Sequence, residues 1–451
     1  MKGLQSPMTD RPSRVAPMQV SRRDLMRMAG LTGLGLGLAA CGRGFGGGDD
    51  EPEGGAVQLN MVWWGDVQRA EKTQAALNVF QSKNPGVTVK IEYQDSGPYK
   101  DKLATRFAAG DPPDVMAMRM DSLREYADRG ALLDLGQHAS AVDLSGLSES
   151  ARTLATVGDK TYGVPAGLNA IGFVVNKTLT DKYGVTIPDG NTWSWDDLST
   201  FAQAITKASG KKVYGTHFDH ATLANLIMFT RQQGEDFYTA DGALGASEAT
   251  VAAWFDLGNQ LRAVGGFPPA GFIEDVGSSA AQSYLAKRSI ASQIIPTNNF
   301  LSYNEAAGGE LVLLRMPGET QGKRRGQSVD CPHLWSIAAA SKHKDEALKL
   351  LNFLVNDIEA SKATGTTRGV PPNSKIAEEL KPTLKPEDRV ATEYLAGLQK
   401  ESLPRSYTYP PGSSKIQSSL ESLATEVEFK RQTPQQAAKA FIDAGRKALG
   451  K

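Results

Sequence analysis

Three short apolar stretches separated by amphipathic runs constrain the first part of this chain more than any other feature. "VQLNMVWW" (57–64), "GVTVKIEYQ" (86–94) and "PDVMAM" (113–118) read as buried strands. Between and after them, "VQRAEKTQAALNVFQSK" (67–83), "YKDKLATRFAAG" (99–110) and "DSLREYADRG" (121–130) carry helical periodicity. A β-α-β-α-β order predicts an α/β fold, a mostly parallel sheet with helices on both faces. Such sheets bind ligands outside the carboxyl ends of their strands. Trp63, Trp64, Gly65 and Asp66, then Asp95, then Arg119 and Asp121 stand at those ends. Parallel strands bury both faces, so either both tryptophans pack in the core or one of them faces the ligand.

A second unit begins near "DKTYGVPAGLNAIGFVVNK" (159–177), two short strands around a Pro-Ala-Gly-Leu-Asn turn. Helices follow, first "TWSWDDLSTFAQAITKA" (192–208), with Ser194 and Asp197 at capping-box spacing. Further strands lie near "SIASQII" (289–295) and "ELVLLRM" (310–316). The last helix opens Thr433-Pro434-Gln435-Gln436, an N-cap, a proline at N1 and a glutamine at N3. About 395 residues after position 56 are long for one core and comfortable for two.

The amino terminus is different in kind. A basic stretch around Arg22, Arg23 and Arg27 precedes an apolar run, Met28 to Ala40, that is too short for a bilayer-spanning helix of roughly 20 residues. That order describes an export signal over 1–40, and the adjacent arginines resemble the twin-arginine type. Leu38-Ala39-Ala40 before Cys41 resembles a lipobox, which makes Cys41 the lipidated first residue of the mature chain. Residues 41–56, Gly-rich and acidic, then form a flexible tether. Gly42-Arg43-Gly44-Phe45-Gly46-Gly47 matches GxGxxG formally, but no strand precedes it and no helix follows, so it holds no dinucleotide.

Removing 1–40, which hold six basic and two acidic residues, leaves 44 basic against 48 acidic side chains, a net charge of −4. That excludes nucleic acid as the expected partner, since phosphate neutralisation needs clustered excess Lys and Arg. With Cys41 acylated, Cys331 stands alone as a buried, inert thiol, and stability must come from cores rather than disulfides. His217-Phe218-Asp219-His220 offers metal-ligand types, but without a third imidazole or an HExxH helix it reads as polar residues on a loop. No metal or cofactor is expected.

Beyond the strand pattern, "MVWWGD", "ATRFAAGDPPDVMAM", "REYADRGALLDL", "KTYGVPAGLNAIGFVVNK", "TWSWDDL", "AASKHKDEALKLLNFLVND" and "RGVPPN" occur in an order and spacing that resemble one family. The chain resembles the extracellular solute-binding proteins of sugar-type ABC importers, family 1, the maltose-binding-protein-like class in its lipoprotein form. The resemblance implies a type II periplasmic-binding-protein-like fold: two α/β lobes, each a mostly parallel sheet flanked by helices, with the ligand in the cleft between them. Its crossing pattern implies chain passages near 154–158, 327–331 and 378–384. Lobe 1 is then 57–155 with 329–380, and lobe 2 is 156–328 with 381–451.

The resemblance further implies a monomeric receptor that takes a carbohydrate, an oligosaccharide, and delivers it to membrane permease subunits without chemistry. A sugar offers hydroxyls and apolar C–H faces, so its site needs carboxylates and amides beside aromatic platforms. By that match Trp63 or Trp64 stacks on a ring, and Asp66 accepts hydroxyl protons. Asp121, with Arg119 close by, is a contact or a helix N-cap. Asn169 is a contact or a turn-former, and Asp219 lies on a cleft loop. Asn298 and Asn299 stand where relatives have Gly-Pro-Trp, which suggests amide recognition in place of stacking. Arg368 holds a hydroxyl or carboxylate, or makes an interlobe salt bridge. The rival classes are a lipid-anchored glycan hydrolase or lyase, which would need two flanking carboxylates, and a glycan-binding co-sensor without a transport role.

Overall fold

A computed structural model describes residues 56–450, with 240, 273–279, 332, 402, 405 and 407 and the side chains of 96, 121 and 387 outside the description. The export signal, Cys41 and the tether therefore lie outside the described residues.

The first lobe follows the expected alternation: β1 (Val57–Trp64), α1 (Val67–Lys83), β2 (Val87–Gln94), α2 (Ser96–Ala108), β3 (Val115–Met118) and α3 (Met120–Asp128). β1 runs parallel to both β2 and β3 and lies between them. After α4 (Glu149–Thr153) come the short strands β4 (Thr156–Val157), β5 (Lys160–Thr161) and β6 (Val164–Pro165). β6 joins the first sheet, pairing Val164 with Trp335, and Val164 packs into the first core. The first passage between lobes thus falls after Pro165, later than 154–158. Two-residue strands carry too little apolar pattern to show which sheet they join.

The second lobe contains β7 (Ile171–Asn176), α5 (Lys177–Tyr183), α6 (Trp195–Ala208), α7 (Leu223–Gln232), α8 (Glu248–Ala263), β8 (Ser292–Pro296), α9 (Phe300–Ala307) and β9 (Leu311–Leu314). Its sheet has the order β8-β7-β9, and β7 is antiparallel to both neighbours. The expectation of a mostly parallel sheet fails here. A strand's direction depends on the side from which its connection returns, and a buried run such as "GFVVN" looks the same either way. Tyr214 adds one parallel bridge to Ile290 at the β8 edge.

β10 (Leu334–Ile337) re-enters the first sheet antiparallel to β3 and completes the order β2-β1-β3-β10-β6. α10 (Lys344–Asn356), α11 (Ile358–Thr364) and α12 (Ser374–Leu380) follow on this lobe. α13 (Pro386–Gln399), packed on α9 and β9, returns the chain to the second lobe, and α14 (Ser413–Glu428) and α15 (Pro434–Ala448) pack there against α8.

Each lobe has its own core. Leu59, Met61, Trp63, Phe80 and Leu350 lie in the first, and Phe173, Leu198, Trp254 and Phe441 in the second. Side chains of this size contribute roughly 1.5–3 kcal/mol each on full burial. Capping boxes fix two helix starts, Ser194 with Asp197 on α6 and Thr433 with Gln436 on α15. Where the chain leaves the first lobe the strands run side by side: within that lobe's core the Leu168 N–H donates to Val370 O at 2.7 Å, and on the passage itself the Asn169 N–H donates to Asp330 O at 2.9 Å.

Candidate ligand-binding cleft

The first lobe's sequence-nominated contacts Trp63, Trp64 and Asp66 sit at the end of β1, where side chains alternate across the sheet, and none of them lines the cavity between the lobes. Trp63 has no exposed surface. It stacks on Tyr93 at 6.1 Å and meets the edge of Trp335 at 6.3 Å. Its candidacy as a ligand contact is corrected: it is a core residue, because β1 is flanked by strands and its face is covered. Trp64, half-buried, lies on the other face against the His333 imidazole, with centroids 4.0 Å apart. Tyr99 supports it at 5.3 Å, and the Arg119 guanidinium sits 5.9 Å from its ring.

His333 Nε2 lies 3.1 Å from Trp64 O. A carbonyl only accepts, so Nε2 carries the proton and Nδ1 is bare. Burial, with Arg368 and Arg69 nearby, pushes the imidazole well below its ordinary pKa, so the platform under Trp64 is neutral.

Asp66 is exposed and caps α1 by accepting the Arg69 N–H at 2.8 Å. Arg119 occupies the N-cap position of α3, and Asp121 is the second residue of that helix, its side chain outside the described residues. Arg368 is 4 % exposed. Its guanidinium lies 4.7 Å from the Trp335 ring and 5.4 Å from that of Trp63, and donates to the Thr73 hydroxyl at 2.8 Å. This is neither a ligand contact nor an interlobe salt bridge: two indole faces in the first core hold the cation.

On the other side, Asn298 and Asn299 follow β8 in a short turn, both half-buried. Asn169, on the crossing strand, donates through Nδ2 to Asn298 Oδ1 at 2.8 Å. Asn298 in turn donates to Asn299 Oδ1 at 3.2 Å. Asp219 is exposed and accepts from the Ala221 N–H at 2.8 Å and the Thr222 hydroxyl at 3.2 Å. It lines a separate cavity of the second lobe.

Where the lobes meet, a cavity of about 140 Å³ takes walls from both. Met120 comes from the first lobe, Met228 and Arg231 from the second, and Asn169 and Asp330 from the crossing strands. Arg231 donates to the Ser328 hydroxyl at 2.7 Å and more weakly to Ser406 at 3.4 Å. Burial pushes the Asp330 carboxyl up, while the Cys331 N–H and the nearby Arg231 hold it back. The arrangement supplies acceptors, donors and two thioether stems around one small space, which suits a hydroxylated ligand.

Sequence reasoning reached Asn169 but not Met120, Arg231, Asp330, Ser406 or Tyr409. The passage expected at 327–331 contains Asp330, so a polar side chain on a crossing strand was a usable signal. Arg231 sits inside "LANLIMFTRQ", where an arginine facing inward leaves no mark in the pattern.

Residues 64–360 match the family model for bacterial extracellular solute-binding proteins. The chain is 29% identical over 335 residues to an uncharacterized lipoprotein in the oleD 5′ region of Streptomyces antibioticus, covering 70% of each chain. It is 22% identical over 358 residues to the galactooligosaccharide-binding protein of Bacillus subtilis, covering 77% of this chain and 80% of that one. Among solved structures, a periplasmic oligogalacturonide-binding protein of Yersinia enterocolitica, in complex with saturated digalacturonic acid, superposes with a TM-score of 0.73 at 24% identity. It covers 87% of this chain and 99% of that one. Two α/β lobes, three crossings and a shared polar cavity agree with that match: the chain belongs to the bacterial extracellular solute-binding proteins.

Proposed function

We propose that this protein is the receptor of an ABC importer, capturing a carbohydrate between its lobes and handing it to membrane permease subunits. The observation that carries the reading is the hinge cavity, to which both lobes contribute and whose polar groups are amide, carboxyl, hydroxyl and guanidinium. Such a site gains its full set of contacts only when ligand bridges the two walls, so ligand favours the closed form. The relative from Bacillus subtilis, named for galactooligosaccharide binding, supports the ligand class. Acylation at Cys41 after export would hold the receptor beside its permease, and the lipoprotein relative supports that anchoring. The site is read as a binding site without catalysis.

Calorimetric titration with galacto-oligosaccharides, followed by chromatography of the ligand, tests both halves. Saturable binding with the sugar recovered intact is the expected result. Cleaved sugar would favour the hydrolase or lyase reading, and no heat with any sugar would remove the carbohydrate assignment.

A further inference from the structure

A larger cavity, about 450 Å³, opens within the second lobe between the 217–221 loop, β8, α8 and the carboxyl half of α14. It lies beside the hinge cavity: Ile294 and Ala221 line the one, Pro296 and Ala224 the other. Residues two apart on a strand are separated by about 7 Å. The hinge cavity falls short of the roughly 300 Å³ at which ordinary ligand pockets begin, and the second one does not.

Its lining has the composition of a sugar site. Phe255, Phe272 and Phe429 provide aromatic wall. Gln293 is 6 % exposed, and its Oε1 has no hydrogen-bond partner. A buried acceptor left unpaired is unfavourable, and a hydroxyl donor from a ligand would satisfy it. Burial, reinforced by Arg262, pushes His217 down to about 4, so its imidazole is neutral and offers one donor and one acceptor. Arg262 and Glu428 pair at 3.1 Å and cancel, and the Asp219 oxygens are turned to Ala221 and Thr222. Among the described lining residues no unbalanced Lys or Arg remains for a carboxylate-bearing ring.

We propose that this cavity takes an additional, uncharged ring of the same ligand, hydrogen-bonded by Gln293 and His217 and packed on Phe272 and Phe429. The two cavities then select a neutral oligosaccharide of minimum length over a mono- or disaccharide. This rests on the carbohydrate reading above.

The test titrates the full chain with β-1,4-linked galacto-oligosaccharides of one to five units and with oligogalacturonides of the same lengths. Wild-type affinity should rise at least tenfold between the neutral dimer and tetramer. Gln293→Leu and the surface change Phe429→Ala should each remove that rise and leave dimer affinity unchanged. Should Gln293→Leu fail to fold, Phe429→Ala, whose residue is 43% exposed, decides alone. A rise that survives Phe429→Ala, or no rise in the wild type, overturns the proposal and leaves the carbohydrate reading intact. A rise confined to the galacturonates also overturns it. Binding by no member of either series overturns the proposal, and the carbohydrate reading falls with it only where no other sugar gives heat either.

Discussion

The Trp64 indole lies on the His333 imidazole at 4.0 Å and 28°, while its neighbour Trp63 is sealed between Tyr93 and Trp335. The two substitutions should therefore separate binding from stability. Trp63→Ala opens a large cavity in the first core, at a cost of about 3–5 kcal/mol. Trp64→Ala should cost less stability but lower ligand affinity about tenfold or more, as expected for an aromatic anchor. Denaturant unfolding and calorimetry on both variants check this. Equal affinity in Trp64→Ala and wild type would take Trp64 out of the site.

Arg368 tests how a cation survives in the first core. Its guanidinium lies beside two indoles whose planes are nearly perpendicular, is bonded to a hydroxyl and, among the described residues, pairs with no carboxylate. Burial and the neighbouring Arg69 push its pKa well below the ordinary value. Arg368→Met keeps the stem and removes the buried charge, so stability should stay within about 1 kcal/mol. Arg368→Lys keeps the charge but loses the flat stacking surface, and should cost about 2 kcal/mol. Urea unfolding ranks the two, and ligand affinity should be unchanged in Arg368→Met.

These two residues also show how far the sequence could be read. The β-α-β order and the capping boxes are legible because they depend on local periodicity, whereas the strand-end rule named neighbours of Met120 and not the residues that line the hinge cavity. Which of two adjacent tryptophans faces out depends on what covers each face of β1, and that is supplied by β10 and the 366–370 segment, far away in the chain. A charged residue ordinarily implies exposure, so the pattern around Arg368 points to a ligand contact or an interlobe salt bridge and carries no sign of the two indoles that hold it. The hinge cavity draws on 120, 169, 231, 330 and 409, positions brought together only by chain passages that carry no periodic signal.

Stability should fall in mild acid. Three of the five histidines, His217, His220 and His333, are pushed down by burial, His217 to about 4 and the others well below the ordinary value. Unfolded histidines bind protons near pH 6.5, so below that pH the unfolded chain holds more protons than the native one. The contribution is full above about 6.5 and is lost as pH falls towards the native values, at up to about 1.4 kcal/mol per pH unit for each histidine. Asp330 and Glu319, raised by burial, act in the opposite direction, since their native forms take up protons first. Melting temperature should drop between pH 7 and 5, and His217→Gln should flatten the drop. A flat profile in the wild type would mean these imidazoles are not buried in solution.

The crossing strands approach too closely for side chains at two glycines. At Gly167 a Cβ would stand 2.5 Å from Arg368 O, and at Gly369, where φ is +110°, it would stand 2.4 Å from Leu168 O. Backbone cannot retreat there without breaking the Leu168–Val370 pair, whose two N–H···O bonds measure 2.7 and 2.8 Å. Gly369→Ala should thus cost about 1–3 kcal/mol through strain and lost hydrogen bonding. Leu168 and Val370 lie at the margin of the first core, where the chain leaves for the second lobe, so both lobes should keep their secondary structure while their mutual orientation loosens. Small-angle scattering should show the wild type contracting when ligand is added, and the variant, already broader when free, contracting at higher ligand concentration. A variant that closes at the wild-type concentration would mean that the Leu168–Val370 pair does not set the hinge, and that the bending lies in the other two crossings.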